Sequence, residues 1–106
     1  LRRQRQMCIR DRPPAGGGWW EVGIVVFRST LWGRGVGRRA LRLWTEATFA
    51  TTDAQVVTLT TWSGNGRMIH CAGAVGYREC GRIPQARSWQ GRRWDLVTMA
   101  LLRDDL

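Results

Sequence analysis

From Trp19 onward the chain alternates between two kinds of periodicity. Glu21-Val22-Gly23-Ile24-Val25-Val26-Phe27 is β-branched and almost continuously apolar, the pattern of a strand covered on both faces. After Arg28-Ser29-Thr30-Leu31-Trp32 and the glycine-rich Gly33-Arg34-Gly35-Val36-Gly37, a helical stretch runs to about Ala50. In it Val36, Ala40, Leu43, Trp44 and Ala47 form one apolar stripe, with Arg38, Arg39, Arg42 and Glu46 on the other side. Gln55–Trp62 reads as a second strand. Ser63-Gly64-Asn65-Gly66 opens a short helix to Val75, with Met68, Ile69, Ala72 and Val75 inward and Gly76 as its stop. Two more strands follow at about 77–86 and 94–102, with Gln90-Gly91 as a turn between them. The predicted class is α/β with a mixed sheet and the order β-α-β-α-β-β, and the first strand–helix–strand unit implies a right-handed crossover between parallel strands.

Residues 1–18 break from this pattern. Leu1 to Arg12 has no periodicity of either kind, and Pro13-Pro14-Ala15-Gly16-Gly17-Gly18 is a cluster of breakers. Gln6-Met7-Cys8-Ile9-Arg10-Asp11-Arg12 resembles a translated sequencing-adaptor remnant. The expectation is a disordered or artefactual basic leader over 1–18 and a single partial domain over 19–106.

Composition modifies this picture in three respects. The chain of 106 residues carries a formal charge of +9, and all 17 of its basic residues are arginine. Five of them lie in the first twelve residues against Asp11 alone, so the remainder holds +5, a balance that suits an anionic small ligand as well as it suits RNA. No interleaved basic-aromatic RNA-recognition motif is present, which disfavours nucleic acid. Cys8, Cys71 and Cys80 are odd in number and lack CxxC spacing, so no metal is expected and a reduced compartment is. No apolar run is long enough for a membrane span and no secretory pattern opens the chain, so the expected location is cytoplasmic.

The chemical signal is the glycine-rich turn between a buried strand and an amphipathic helix. Glycines leave successive backbone N–H groups free to close around phosphate oxygens, and the helix start adds unpaired amides and a positive dipole end. Arg34, Arg38 and Arg39 supply charge at its rim. Gly35-Val36-Gly37-Arg38-Arg39-Ala40 also fits the dinucleotide fingerprint, but seven residues separate Phe27 from Gly35 and no acid ends the next strand. A P-loop is excluded because no lysine follows the glycines.

Val25-Val26-Phe27, four residues, then Trp32-Gly33-Arg34-Gly35-Val36-Gly37 resembles motif A of the GNAT superfamily of N-acetyltransferases, whose consensus is Gln/Arg-x-x-Gly-x-Gly/Ala. Trp32 stands in the Gln/Arg slot, as in the branch similar to ribosomal-protein-alanine N-acetyltransferases. Trp62–Ile69 resembles the entry to motif B, Gly76-Tyr77-Arg78-Glu79-Cys80-Gly81 its ending, and Arg87–Asp95 the closing hairpin of that branch. The resemblance covers about residues 19–106 and implies the C-terminal part of the acyl-CoA N-acyltransferase fold, cut off from its N-terminal part. A fragment of that kind is expected to be marginally stable alone, with the strand at Glu21 left as an exposed apolar edge.

What the resemblance implies about function is transfer of the acetyl group of acetyl-CoA, a co-substrate, to a primary amine on a protein N-terminus or small molecule. The strand ending at Val25, Val26 and Phe27 would splay from the one ending at Trp62 and admit the pantetheine arm. The segment Trp32, Gly33, Arg34, Gly35, Val36 and Gly37, with Arg38, would hold the diphosphate, and the Asn65 side chain would reach the pantetheine. A main-chain N–H near Val26 or Phe27 would polarise the thioester carbonyl. Glu21 is the candidate base, Asp95 a weaker one, and Ser63 either orients a reactant or caps the second helix. The general acid of many family members, a tyrosine in motif B, is replaced by Ala72, and Tyr77 sits in a packing slot. The alternatives are a non-catalytic CoA- or nucleic-acid-binding module and a dinucleotide-dependent oxidoreductase. Acceptor identity stays open, and a homodimer is compatible with the sequence.

Overall fold

The computed structural model describes residues 5–11, 17–26 and 36–106. Its elements are β1 (Arg5–Asp11), β2 (Trp19–Val26), α1 (Val36–Thr51), β3 (Val56–Trp62), α2 (Gly66–Val75), β4 (Arg78–Trp89) and β5 (Arg92–Leu102), followed by a 3-10 turn at Arg103–Asp105. From Trp19 the order is the expected β-α-β-α-β-β. The five strands form one sheet in the order β1-β2-β3-β5-β4. β2 and β3 are parallel and the other neighbours antiparallel. Both helices serve crossovers: α1 links β2 to its neighbour β3, and α2 carries the chain from β3 past β5 to β4.

Both helices lie on one face of the sheet. Val22, Val57, Leu59, Val97, Met99 and Leu101 project from the strands into one buried cluster with Leu41 and Phe49 of α1 and Met68, Cys71 and Ala72 of α2. Each fully buried aliphatic side chain here contributes about 1.5–3 kcal/mol through removal from water. The alternate positions of the strands form the other face, which carries no helix among the described residues. There the Trp19 indole donates to the Thr58 hydroxyl at 2.8 Å.

Three sequence expectations are corrected. The leader was expected outside the fold, yet Arg5–Asp11 pairs antiparallel with the whole of Trp20–Val26. Met7, Cys8 and Ile9 are apolar enough for a strand whose arginines obscure any alternation. β2 therefore has a neighbour on each side and is not the exposed edge. The third correction concerns the α1 stripe, which is rotated: Ala40 and Trp44 do face the core, but Leu43 is 63% exposed and Ala47 is exposed. Leu41, Thr45, Thr48 and Phe49 are buried instead. Two threonines can occupy a core face because each hydroxyl is hydrogen-bonded. Thr48 Oγ1 donates to the Trp44 carbonyl at 2.8 Å, and Thr45 Oγ1 shares a 2.6 Å hydrogen bond with the Tyr77 hydroxyl.

The stretch after β5 is tied in by polar contacts that sequence periodicity does not encode. Arg103 donates from Nε to the Ala54 carbonyl at 2.6 Å and from Nη2 to the Phe49 and Thr52 carbonyls at 2.8 and 3.2 Å. A cation thus caps carbonyls at the C-terminus of α1, where the helix dipole favours it. The β4–β5 turn has positive φ at both Gln90 (51°) and Gly91 (74°), the requirement of a type I′ hairpin.

Tyr77 gives a direct test of this core. Burial pushes its phenol up to about 12, with the Thr45 hydrogen bond opposing the shift. The fold thus favours the neutral phenol, and that contribution is complete below the ordinary value of 10.0 and drains away as pH rises towards about 12. Because Tyr77 is the single tyrosine, phenolate absorbance should report its titration alone, with a midpoint well above that of the urea-unfolded chain. Tyr77→Phe, which strands the Thr45 hydroxyl, should lose about 1–2 kcal/mol in urea unfolding, with part regained in Tyr77→Phe/Thr45→Val.

Candidate functional site

The principal feature is the short pairing between β2 and β3. Trp19, Trp20 and Glu21 pair with Val56, Val57 and Thr58, and the register ends there. β2 continues to Val26 and β3 to Trp62, each still hydrogen-bonded on its outer side, to β1 and β5 respectively. Beyond Glu21 and Thr58 the two strands therefore bound a wedge whose inner edges are main chain. Val25 and Val26 lie on its β2 side. Exposed strand edges of this kind accept a ligand that hydrogen-bonds as an added strand.

Each wedge strand is followed in the chain by a helix, β2 by α1 and β3 by α2. α1 begins at Val36, with no acidic residue in its first turn. Gly37 is buried there, while Arg38 and Arg39 are exposed. Two arginines at the positive end of a helix are electrostatically unfavourable by about 0.3–1 kcal/mol each, unless an anion lies between them and the amides. The Arg38 charge is felt as far as α2, where it opposes the burial that pushes the Cys71 thiol up; burial dominates, so the thiol stays protonated. Phe27, Trp32, Gly33, Arg34 and Gly35 lie outside the described residues.

α2 is capped by Asn65, whose Oδ1 accepts from the Met68 N–H at 3.1 Å. That commits its acceptor and leaves the Nδ2 amide as the group able to donate elsewhere. Ser63 does not cap this helix. Its hydroxyl accepts from the Asp95 N–H at 2.9 Å, while its own N–H donates to the Asp95 carbonyl at 2.8 Å, extending the β3–β5 junction by one step.

The two candidate bases lie in different surroundings. Glu21 lies on β2 opposite Thr58, on the helix-free face with Trp19, at the point where the wedge opens. Asp95 is occupied: Arg82 Nη1 donates to its Oδ2 at 2.8 Å and the Gln85 N–H to its Oδ1 at 3.0 Å. Both contacts hold its carboxyl below the usual range, Arg82 most strongly, which makes it a poor base. Arg82 also grips Glu79 through two bonds of 2.8 and 3.0 Å, which lowers that carboxyl too. Asp95 thereby fixes the irregular stretch of β4 where Gln85 takes φ +54°. Ala72 is fully buried in the core.

A feature that sequence reading missed is an aromatic cluster on the helix-free face. The Trp62 ring meets Trp89 and Trp94 edge-on, at centroid distances of 5.1 and 5.2 Å. The Arg87 guanidinium lies 5.1 Å from the Trp62 ring centroid and that of Arg92 4.0 Å from Trp94. Its only sequence trace is the tryptophan-arginine density of Arg87–Trp94. A Cβ at Gly64 would stand 2.3 Å from the Trp62 ring, so glycine is required for the ring to occupy this place. A separate open depression of about 320 Å³, lined by Gly76, Arg78, Glu79, Cys80, Ala100, Leu102 and Asp105, lies at the opposite end of the sheet from Trp62 and borders neither the wedge nor a helix start. Among the described residues, no helix is long and apolar enough to cross a membrane.

The Asp95 clamp predicts a pH response. Because its carboxyl is depressed, the clamp's contribution is present at neutral pH and is lost as pH falls through a value below the ordinary carboxylate range. Carboxyl-carbon NMR should show this low titration, and Arg82→Ala should move it upward, so that the hairpin loosens at a higher pH than in the parent.

The family model described as the acetyltransferase (GNAT) domain matches residues 7–78. No curated protein matches the sequence. Among solved structures, yncA from Salmonella typhimurium, determined with its cofactor acetyl-CoA, is 25% identical with a TM-score of 0.76, covering 97% of this chain and 60% of that one. RimJ from Mycobacterium smegmatis, in complex with CoA-disulfide, is 20% identical with a TM-score of 0.80, covering 96% and 48%. The ribosomal-protein-S5-alanine acetyltransferase from Vibrio fischeri is 20% identical with a TM-score of 0.73, covering 91% and 51%. The chain thus spans about half to three-fifths of the length of these structures. With its model matched over most of the chain and its sheet and crossovers in the corresponding order, the chain belongs to the GNAT acetyltransferase domain family.

Proposed function

We propose that this chain carries the acetyl-CoA site of an N-acetyltransferase that passes acetyl to a primary amine by direct attack. The observation that carries the reading is the parting of β2 from β3 after three paired residues, each strand being followed in the chain by a helix. In this reading the diphosphate rests on the amides of Gly33–Gly37 with Trp32, Arg34, Val36 and Arg38 around it. The amide-bearing pantetheine arm then takes the main-chain partners that β2 and β3 do not give each other, and Asn65 donates to it from Nδ2. The acetyl-CoA bound in the Salmonella typhimurium structure supports the ligand's identity.

The chemistry asks little covalent work of the protein. The neutral amine attacks the thioester carbonyl carbon, and the oxygen charge that develops is met by a main-chain N–H at Val26 or Phe27. The tetrahedral intermediate collapses, the C–S bond breaks, and CoA leaves as thiolate. The amine's proton passes to Glu21 directly or through water, and water protonates the thiolate.

Calorimetry of the 106-residue chain with CoA and with acetyl-CoA tests the reading. Binding is expected with both, and amide hydrogen exchange should slow at residues 22–26 and 59–62. Gly35→Asp, which sets a carboxylate among phosphates, should weaken binding by tenfold or more; unchanged affinity would sink the assignment. Glu21→Gln should lower turnover about a hundredfold while leaving acetyl-CoA affinity intact.

A further inference from the structure

The helix-free face has an asymmetry of charge that bears on the acceptor. A ligand whose phosphates sit by the α1 N-terminus, on the helix-bearing side, and whose arm passes between β2 and β3 delivers its far end to the opposite face. That face presents Glu21 on β2 and, at the end of β3, Trp62 with Trp94 and the stacked Arg87 and Arg92. Arg82 is taken up by Glu79 and Asp95, but among the described residues neither Arg87 nor Arg92 has a carboxylate partner.

Resting on the N-acetyltransferase reading, we propose that the acceptor is an amine that also carries a carboxylate or similar anion. Its nitrogen lies towards Glu21 and its anion against the Arg87–Trp62 wall. The aromatic faces do not serve as a cage for a second cation, because guanidinium groups already stand over Trp62 and Trp94 and would repel it. Exposure fits a recognition surface: Trp89 is 46% exposed and the whole of β4 is open to solvent. Scale fits as well. Thr58, the partner of Glu21, lies four residues before Trp62, about 13 Å along the strand, which an extended six-carbon chain bridges with the reach of the two charged side chains.

The test compares 6-aminohexanoate, hexylamine and 1,6-diaminohexane as acceptors for the 106-residue chain, by CoA thiol release and product mass. The acid should be favoured about tenfold in kcat/KM over the amine and more over the diamine, with the gap closing as salt rises. Arg87→Gln should raise the acid's KM about three- to tenfold with the KM for acetyl-CoA unchanged, and Arg87→Lys should restore part of the loss. Indole NMR signals of Trp62 and Trp94 should shift with 6-aminohexanoate and not with the diamine, whether or not turnover occurs. Equal or better use of the diamine, or a preference untouched by both Arg87→Gln and Arg92→Gln, overturns the proposal. Acetyl-CoA binding with none of the three acceptors used, and no indole shift, overturns it too while leaving the cofactor site standing. Failure to bind acetyl-CoA, with the acid still shifting the indoles, refutes the N-acetyltransferase reading and upholds the anion surface.

Discussion

Backbone hydrogen bonding is close to obligatory in a folded chain, and the break between β2 and β3 is where this sheet departs from it. Three residue pairs join the strands, after which each keeps its outer neighbour and turns an inner edge to the gap. A wedge of this kind persists only where something else satisfies those groups, water in the free protein or an amide-bearing ligand in a complex. The helices follow from the same arrangement. α1 and α2 are the next described elements after β2 and β3 in the chain, and each helix start carries unpaired amides and a positive dipole end. Extended main chain lines the wedge and a helix follows each of its strands, a combination that suits a ligand with an amide-rich arm and a phosphate-bearing head.

The rest of the sheet keeps the wedge in shape. β3 is held along its whole length by β5, and the junction beyond Trp62 is continued by Ser63 and Asp95. Asp95 in turn orders the β4 irregularity through Gln85 and Arg82, while Arg93 Nε donates to the Gln85 carbonyl at 3.0 Å. These contacts are exposed and individually weak. Their effect is positional: they fix the hairpin against which Trp62 packs. Asp95 is therefore part of the frame, while Glu21 lies on β2 where its pairing with β3 ends.

Much of the fold was legible in the sequence because period and punctuation agreed. The β-branched runs marked β2 and β3, Gly76 ended α2, and Gln90-Gly91 supplied the two positive φ values that a type I′ turn demands. The misreadings have physical causes. The α1 face was misassigned because counting apolar side chains ignores hydroxyls: Thr45 and Thr48 enter the core by bonding Tyr77 and the Trp44 carbonyl, which turns Leu43 to solvent. β1 was missed because a strand flanked by arginines on a breaker-rich leader shows no alternation. For the candidate site, the sequence indicated which two strands meet and that Asn65 opens α2. How far those strands pair, and that Arg82 occupies Asp95, depend on contacts between distant residues and leave no local signature.

The absence of a tyrosine at position 72 gains a structural meaning from its neighbours. Ala72 is fully buried against the core, so its position faces packing and not the wedge. Two nearby groups that carry exchangeable protons, Cys71 and Tyr77, are no better placed. Burial holds the Cys71 thiol protonated, and it pushes Tyr77 up to about 12 while the hydroxyl is shared with Thr45. A phenol with so high a value is a weak acid as well as an inaccessible one. Within the proposed reaction, solvent at the wide end of the wedge delivers the proton to the departing thiolate, and it stabilises a thiolate as readily as it protonates one. The catalytic burden then shifts to forming the tetrahedral intermediate, and with it to the geometry of β2, where Glu21 and the main chain near Val26 lie on one strand only five residues apart.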